Sequence, residues 1–156
     1  MKIDIPGREP LDIRRLLLDF NGTLAQGGKI SAPARQLLEE LSQSVSLSVA
    51  TADTRGNAAS ECAGLPVELL ALPGGVSEDE AKLQLLEELG PEHTIAFGNG
   101  RNDALILARA ALGVCILGEE GAHKMALASA QIMVRSIEDG LKLLTEPQRL
   151  VAAIRH

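Results

Sequence analysis

Short apolar runs alternate along this chain with longer stretches in which apolar residues recur at helical spacing. Arg15–Phe20 (RLLLDF) reads as a buried strand that breaks at Asn21-Gly22, and Val45–Ala50 and Val67–Leu72 read as the next two strands. Between them, Ser31–Leu41 begins with a capping serine and Pro33, and Thr54–Ala63 has the same helical period. Ser77–Leu89 opens with Ser77 and Glu80 at capping-box spacing and stops at Gly90-Pro91. Strands at Thr94–Phe97, Gly113–Leu117 and Ile132–Val134 follow, separated by helices at Asn102–Ala111 and Gly121–Ala130. Ile137–Leu144 and Pro147–Ile154 read as closing helical turns, and Lys2–Ile5 with Leu11–Arg14 predicts a hairpin about Pro6-Gly7. Strands alternating with helices in this way predict parallel βαβ units, with helices on both faces of one sheet.

Such a sheet binds ligands outside the carboxyl ends of its strands. The polar residues there are Asp19, Asn21 and Thr23 after the first strand, Thr51 and Asp53 after the second, and Asn99, Asn102 and Asp103 after the fourth. Asp19 stands beside the turn Asn21-Gly22-Thr23, whose amides can cradle an anion, and an aspartate so placed can attack phosphorus to give an aspartyl phosphate. Cations must then offset the repulsion. Asp103 suits Mg²⁺, which favours one or two carboxylates plus waters and substrate oxygens, while Lys82 offers a fixed positive charge. Thr51 can give a hydroxyl and an amide to a phosphoryl oxygen. Plainer roles compete at each position: a turn for Asp19, helix caps for Thr51 and Asp53, a helix-dipole charge for Asp103, a solvated helix charge for Lys82.

Composition narrows the field. A chain of 156 residues, 46% hydrophobic and 23% charged, fits one globular domain. Phe20 and Phe97 are the only aromatics and the net charge is −6, which disfavours nucleic acid as a partner: base stacking needs aromatic faces and phosphate backbones need a basic one. Cys62 and Cys115 lie far apart without CxxC spacing, so no zinc site or redox pair is expected, and Cys115 reads as a small buried hydrophobe. The opening MKIDIPGREP is too polar for a signal peptide, and no apolar stretch approaches the ~20 residues that span a bilayer. A cytoplasmic setting without a membrane partner is expected. His93 and His123 read as a loop and a helix-surface histidine without partners.

LLLDFNGTLA resembles the DxDGT signature of the haloacid dehalogenase-like (HAD) superfamily, with Asp19 at the nucleophile. TAD at Thr51–Asp53 and GNGRND at Gly98–Asp103 resemble its second and fourth motifs. The pattern is most similar to the phosphorylation domain of P-type ATPases (DKTGT, TGD, GDGxND), and GEEGAHKMALASAQIMV resembles the ATPase continuation. Small proteins labelled soluble P-type ATPases share this look. The resemblance implies an α/β, Rossmann-like, three-layer α/β/α fold whose parallel sheet has an order near 5-4-1-2-3, flanked by the N-terminal hairpin. It implies a Mg²⁺-dependent phosphohydrolase or phosphotransferase acting through an aspartyl phosphate on Asp19. Catalytic roles fall to Asp19, Asn21, Thr51 and Lys82. Substrate contacts fall to Gly22, Thr23, Thr51, Ala52, Lys82 and Asn102, and metal ligation to Asp19, Asn21, Asn99 and Asp103. Lys82 is the sole lysine between the second and fourth motifs, yet counting back from Asn99 puts the ATPase lysine at Glu80.

Two departures from the pattern bear on activity. Asn21 stands where phosphatases of the superfamily carry the aspartate that protonates the leaving group, a role worth ~10²–10⁴-fold. Asn99 stands where a metal-binding acid is usual. A slow hydrolase is one reading, and a pseudoenzyme that binds phosphate or a partner in a regulatory role is the other. Between Thr23 and Ser31 lie only a few residues where the ATPases insert a nucleotide-binding domain, so one capless domain over residues 1–156 is expected. An open mouth suits a phosphorylated substrate of unspecified identity or a neighbouring subunit acting as lid, hence a possible homo-oligomer.

Overall fold

The computed structural model describes residues 1–155. An antiparallel hairpin, β1 (Lys2–Ile3) and β2 (Leu11–Asp12), precedes the main sheet and is shorter than the sequence suggests. Six strands then follow: β3 (Arg15–Asp19), β4 (Ser46–Thr51), β5 (Glu68–Ala71), β6 (Thr94–Gly98), β7 (Leu112–Ile116) and β8 (Ile132–Val134). They pair in the order β5-β4-β3-β6-β7-β8, every pair parallel. The expected order is present, with the sixth strand added outside the fifth.

Seven helices among the described residues cover the sheet: α1 (Ala32–Leu41), α2 (Asn57–Cys62), α3 (Glu78–Leu89), α4 (Ala104–Arg109), α5 (Lys124–Ser129), α6 (Ile137–Thr145) and α7 (Pro147–Ile154). Side-chain alternation along the central strand sorts them into two layers. Leu16 and Leu18 join the core built with α1, α2, α6 and α7. Leu17 joins the opposite core, with Leu85 and Leu86 of α3, Ile106 and Leu107 of α4, and Ala126 of α5. This is a three-layer α/β/α fold. Ser31 caps α1 as expected, accepting from the Ala34 amide at 3.2 Å, with Pro33 in the first turn.

Several helix starts lie later than the periodicity suggests, each for a local reason. The Asp53 carboxylate accepts from the Gly56 and Asn57 amides, so residues 52–56 form a loop and α2 begins at Asn57. A 3₁₀ turn, Arg101–Asp103, precedes α4. Gly121 adopts φ +75°, and His123 caps α5 through Nδ1, which accepts from the Met125 amide. The capping box expected at Ser77 is absent: Ser77 makes no side-chain cap bond, and the Glu80 amide goes to the Asp79 carboxylate. His93 also has a partner, its Nδ1 lying 2.8 Å from the Asp12 carbonyl oxygen. Cys115 is fully buried in β7. No helix among the described residues is long and apolar enough to cross a membrane.

The carboxyl ends of β3, β4 and β6 lie side by side at the middle of the sheet. Asp19 pairs in register with Ala50, and Leu18 with Phe97, so Asp19, Thr51 and Asn99 leave the sheet at one edge. Residues 20–31 carry the chain from β3 to α1 without a further helix or named strand. Only α2 and β5 lie between β4 and α3.

Candidate active site

Leu17 faces the α3–α4 layer, and the alternation turns Asp19 the same way. Helix α3 buries Ala81, Lys82, Leu85 and Leu86, a stripe that carries Lys82 beneath the end of β3. The Lys82 ammonium, fully buried, donates to Asp19 Oδ1 at 2.6 Å and to Asp103 Oδ1 at 2.8 Å. Asp103 Oδ2 accepts from the Asn99 and Gly100 amides, both at 2.9 Å. Gly98 makes room for this: a Cβ there would stand 2.5 Å from the Asp103 carboxyl carbon. Lys82 is therefore the lysine of the site, and Glu80 is exposed on α3.

The Lys82 ammonium stands between Asp103 and Asp19, and each Asp103 oxygen accepts from at least one donor, which also folds the Asn99–Asp103 turn. Thr23 is likewise buried, and its hydroxyl lies 3.1 Å from Asp19 Oδ2 and 3.2 Å from Asn99 Oδ1. It links those two groups. The Gly22 and Thr23 amides donate to the carbonyls of Ala25 and Phe20.

Burial pushes the Asp19 carboxyl up to about 6; the Asp103 charge adds to this, while Lys82 and the Thr23 hydroxyl oppose it. For Lys82 burial works against the charge, but Asp19 and Asp103 prevail and hold the ammonium well above the usual lysine range.

Above Asp19 opens a cleft of about 430 Å³, lined by Asn21, Thr51, Ala52, Asp53, Asn99 and Asn102 among others. The structure thus gathers nearly every residue named from the sequence. Thr51 Oγ1 accepts from the Asp53 amide at 3.1 Å, which leaves its hydroxyl proton for a ligand. Asp53 lines the cleft while capping α2. Two lining residues were not anticipated, Glu78 and Glu120. Glu78 stands 3.6 Å from Lys82, one helical turn on, a relation the i, i+4 spacing could have suggested, and it also accepts from the Asn102 side chain at 2.6 Å. Glu120 lies in the turn after β7, and its sequence surroundings carry no such signal.

The side chains lining the cleft offer oxygen donors: the carboxylates of Asp19, Asp53, Glu78 and Glu120, the Asn21, Asn99 and Asn102 amides and the Thr51 hydroxyl. That chemistry fits a hard dication such as Mg²⁺ and not a soft one. No group of three His, Cys, Asp or Glu residues among those described is arranged to hold a metal.

No protein-family model matches the chain. An uncharacterized protein of Methanocaldococcus jannaschii is 47% identical to it over 83 residues, which is 51% of this chain and 89% of that protein. The chain belongs to one family with that archaeal protein. The matched stretch is shorter than the distance in sequence from Asp19 to Asp103, so the likeness does not span the whole site. Among solved structures, 3-deoxy-D-manno-octulosonate 8-phosphate phosphatase of Moraxella catarrhalis, in complex with magnesium, phosphate and the sugar acid, superposes with a TM-score of 0.73 at 15% identity, covering 92% of this chain and 91% of that one. The cobalt-bound phosphatase of Haemophilus influenzae gives 0.70 at 11% identity, covering 93% and 94%. A candidate HAD family hydrolase of Streptomyces avermitilis gives 0.66 at 20% identity, covering 85% and 84%. The fold is the HAD-like fold.

Proposed function

We propose that this chain is a HAD-superfamily phosphohydrolase or phosphotransferase that works through an aspartyl phosphate on Asp19. The observation that carries this reading is the buried Asp19–Lys82–Asp103 arrangement opening into a cleft that Thr51 also lines. The phosphatases of the same fold, seen with magnesium and phosphate or with cobalt, support it by analogy. The resemblance to P-type ATPase phosphorylation domains rests on the TAD and GNGRND motifs and is part of the same reading.

Lys82 holds one oxygen of Asp19 and Thr23 the other, so the carboxylate is fixed at the floor of the cleft before substrate arrives. An Asp19 oxygen attacks phosphorus in line, forming an O–P bond as the bond to the leaving oxygen breaks. Thr51 donates a hydrogen bond from its hydroxyl to a phosphoryl oxygen, and Lys82 balances the charge at Asp19. Asp19, Asn21, Asn99 and Asp103 would hold Mg²⁺, whose chemistry when bound is to neutralise phosphoryl oxygens. Asn21 is exposed at the mouth and cannot shuttle a proton, so leaving-group departure and hydrolysis of the acyl phosphate are slow. Slow hydrolysis also suits a phosphate-binding regulator, the second reading that Asn21 and Asn99 favour.

Turnover of p-nitrophenyl phosphate and acetyl phosphate with Mg²⁺ tests the proposal. Wild type is expected to turn over slowly, Asp19→Asn to be inactive, and Asn21→Asp to gain about 10²-fold or more. Wild-type rates unaltered in Asp19→Asn would refute the nucleophile. Phosphate binding without turnover in wild type, with activity appearing in Asn21→Asp, would select the regulatory reading.

A further inference from the structure

Gln26 stands half-buried in the connection from β3 to α1, and both ends of its side-chain amide are engaged. Its backbone exchanges two hydrogen bonds with Lys29 across the short turn Gly27-Gly28, at 2.9 and 3.1 Å, which fixes where the side chain starts. Oε1 then accepts from the Glu119 amide at 3.1 Å, in the turn after β7. Nε2 donates to the Gly22 carbonyl at 3.0 Å, in the turn after β3. Gly118 leaves the amide its place: a Cβ there would stand 2.8 Å from Gln26 Nε2 and 2.9 Å from Oε1.

From Gly22 the linkage runs on through Thr23, whose hydroxyl lies 3.2 Å from Asn99 Oδ1. The Asn99 side chain donates to the Gly121 carbonyl at 3.3 Å, back in the turn that carries Glu119. These bonds close a ring through the loops after β3, β6 and β7, and Gln26 joins the first of them to the third. The backbone bonds of the first turn, Gly22 to Ala25 and Thr23 to Phe20, stay within it and anchor it to nothing else. The same Thr23 hydroxyl lies 3.1 Å from Asp19 Oδ2. Where the Gly22–Thr23 segment sits therefore decides how that hydroxyl meets the carboxylate.

We propose that Gln26 is a positioning residue: its amide clamps the turn after β3 to the turn after β7 and so holds the Thr23 hydroxyl on Asp19. The inference rests on the phosphoryl-transfer reading for the reaction that Asp19 performs. A glutamine suits the place because its amide carries an acceptor at one end and a donor at the other. An ionised glutamate keeps the acceptor for Glu119 but has no proton for the Gly22 carbonyl. Small shifts at a reacting group are costly, since a misplacement of about 1 Å can lower a rate by ~10²-fold.

Single-turnover uptake of the phosphoryl group from acetyl phosphate with Mg²⁺ isolates the step. The bond from Asp19 oxygen to phosphorus forms as the bond to acetate breaks, acetate leaves without needing a proton, and hydrolysis comes later. Gln26→Met is expected to lower the saturating uptake rate about tenfold or more, with the half-saturating concentration changed by less than about twofold. Gln26→Glu, close to glutamine in size, is expected to lose a similar factor. In a Thr23→Val background Gln26→Met is expected to cost little more, because residues that act through one contact are not additive. Wild-type uptake in Gln26→Met or Gln26→Glu, a change in half-saturating concentration alone, or the same loss with and without the Thr23 hydroxyl overturns the inference. Wild type that takes up no phosphoryl group, or no more than Asp19→Asn does, overturns the phosphoryl-transfer reading and the inference with it.

Discussion

Removing the Lys82 ammonium would leave Asp19 and Asp103 buried beside one another with no cation between them. Breaking a buried pair from one side costs about 3–5 kcal/mol, since the stranded charge keeps its desolvation penalty. Lys82→Met is therefore expected to lose about that much in urea denaturation at neutral pH. A second change, Asp19→Asn, should return part of it by removing the repulsion. Equal stability of Lys82→Met and wild type would show that the triad carries no such tension. The sequence held a clue to this lysine: residue 82 shares a helical stripe with Leu85, Leu86 and Leu89. A lysine in that position has to find acids inside. The engagement of both Asp103 oxygens was not legible, because a turn that folds its own amides onto the carboxylate reads the same as one that leaves it open.

At the scale of elements, the connection from β3 to α1 is held in place by α2. Glu61 accepts from the Ile30 amide at 3.0 Å and pairs with Lys29 at 3.0 Å and Arg35 at 2.8 Å, while Asn57 donates to the Gly28 carbonyl. The Ile30 amide, with Lys29 and Arg35, holds the Glu61 carboxyl below the usual glutamate range. A carboxyl whose folded pKa is depressed contributes stability above its unfolded pKa and loses it as pH falls through the folded value. Wild type should thus lose stability on going from neutral pH to about pH 3 more steeply than Glu61→Gln, whose denaturation midpoint starts lower and changes less. Parallel curves for the two proteins would contradict this. Helix α6 is set by a different constraint. Alanine at Gly140 would gain about 1 kcal/mol in helix propensity, but its Cβ would meet Phe97 at 3.0 Å and Ile116 and Val134 at 3.4 Å. Overpacking of that kind costs about 1–3 kcal/mol, so Gly140→Ala is expected to lower the melting temperature. A rise would mean that α6 lifts from the sheet at little cost.

Taken as a whole, the molecule follows its hydrophobic pattern closely. Alternating periods anticipated each strand of the main sheet, and the motif resemblance gave the strand order, because three motifs on three strand ends must meet at one edge. The departures lie where side chains compete with the backbone, at Asp53, Ser77 and His123, and there apolar spacing is silent. Glu120 was missed for a related reason. The residues around its turn, Gln26, Gly22 and Asn99, are remote in sequence and are brought to it only by folding.

Strand β3 lies at the centre of the sheet, yet its neighbour β6 follows only after α1, β4, α2, β5 and α3. During translation the strand that ends in Asp19 therefore emerges early and waits, one side bare, for a partner made much later. Until Thr94–Gly98 leaves the ribosome, the run Leu16-Leu17-Leu18 has an open pairing edge that other nascent chains could capture. The expected burden is on biosynthesis: ribosome-bound chains halted before β6 should recruit holding chaperones, and chains halted after it should release them.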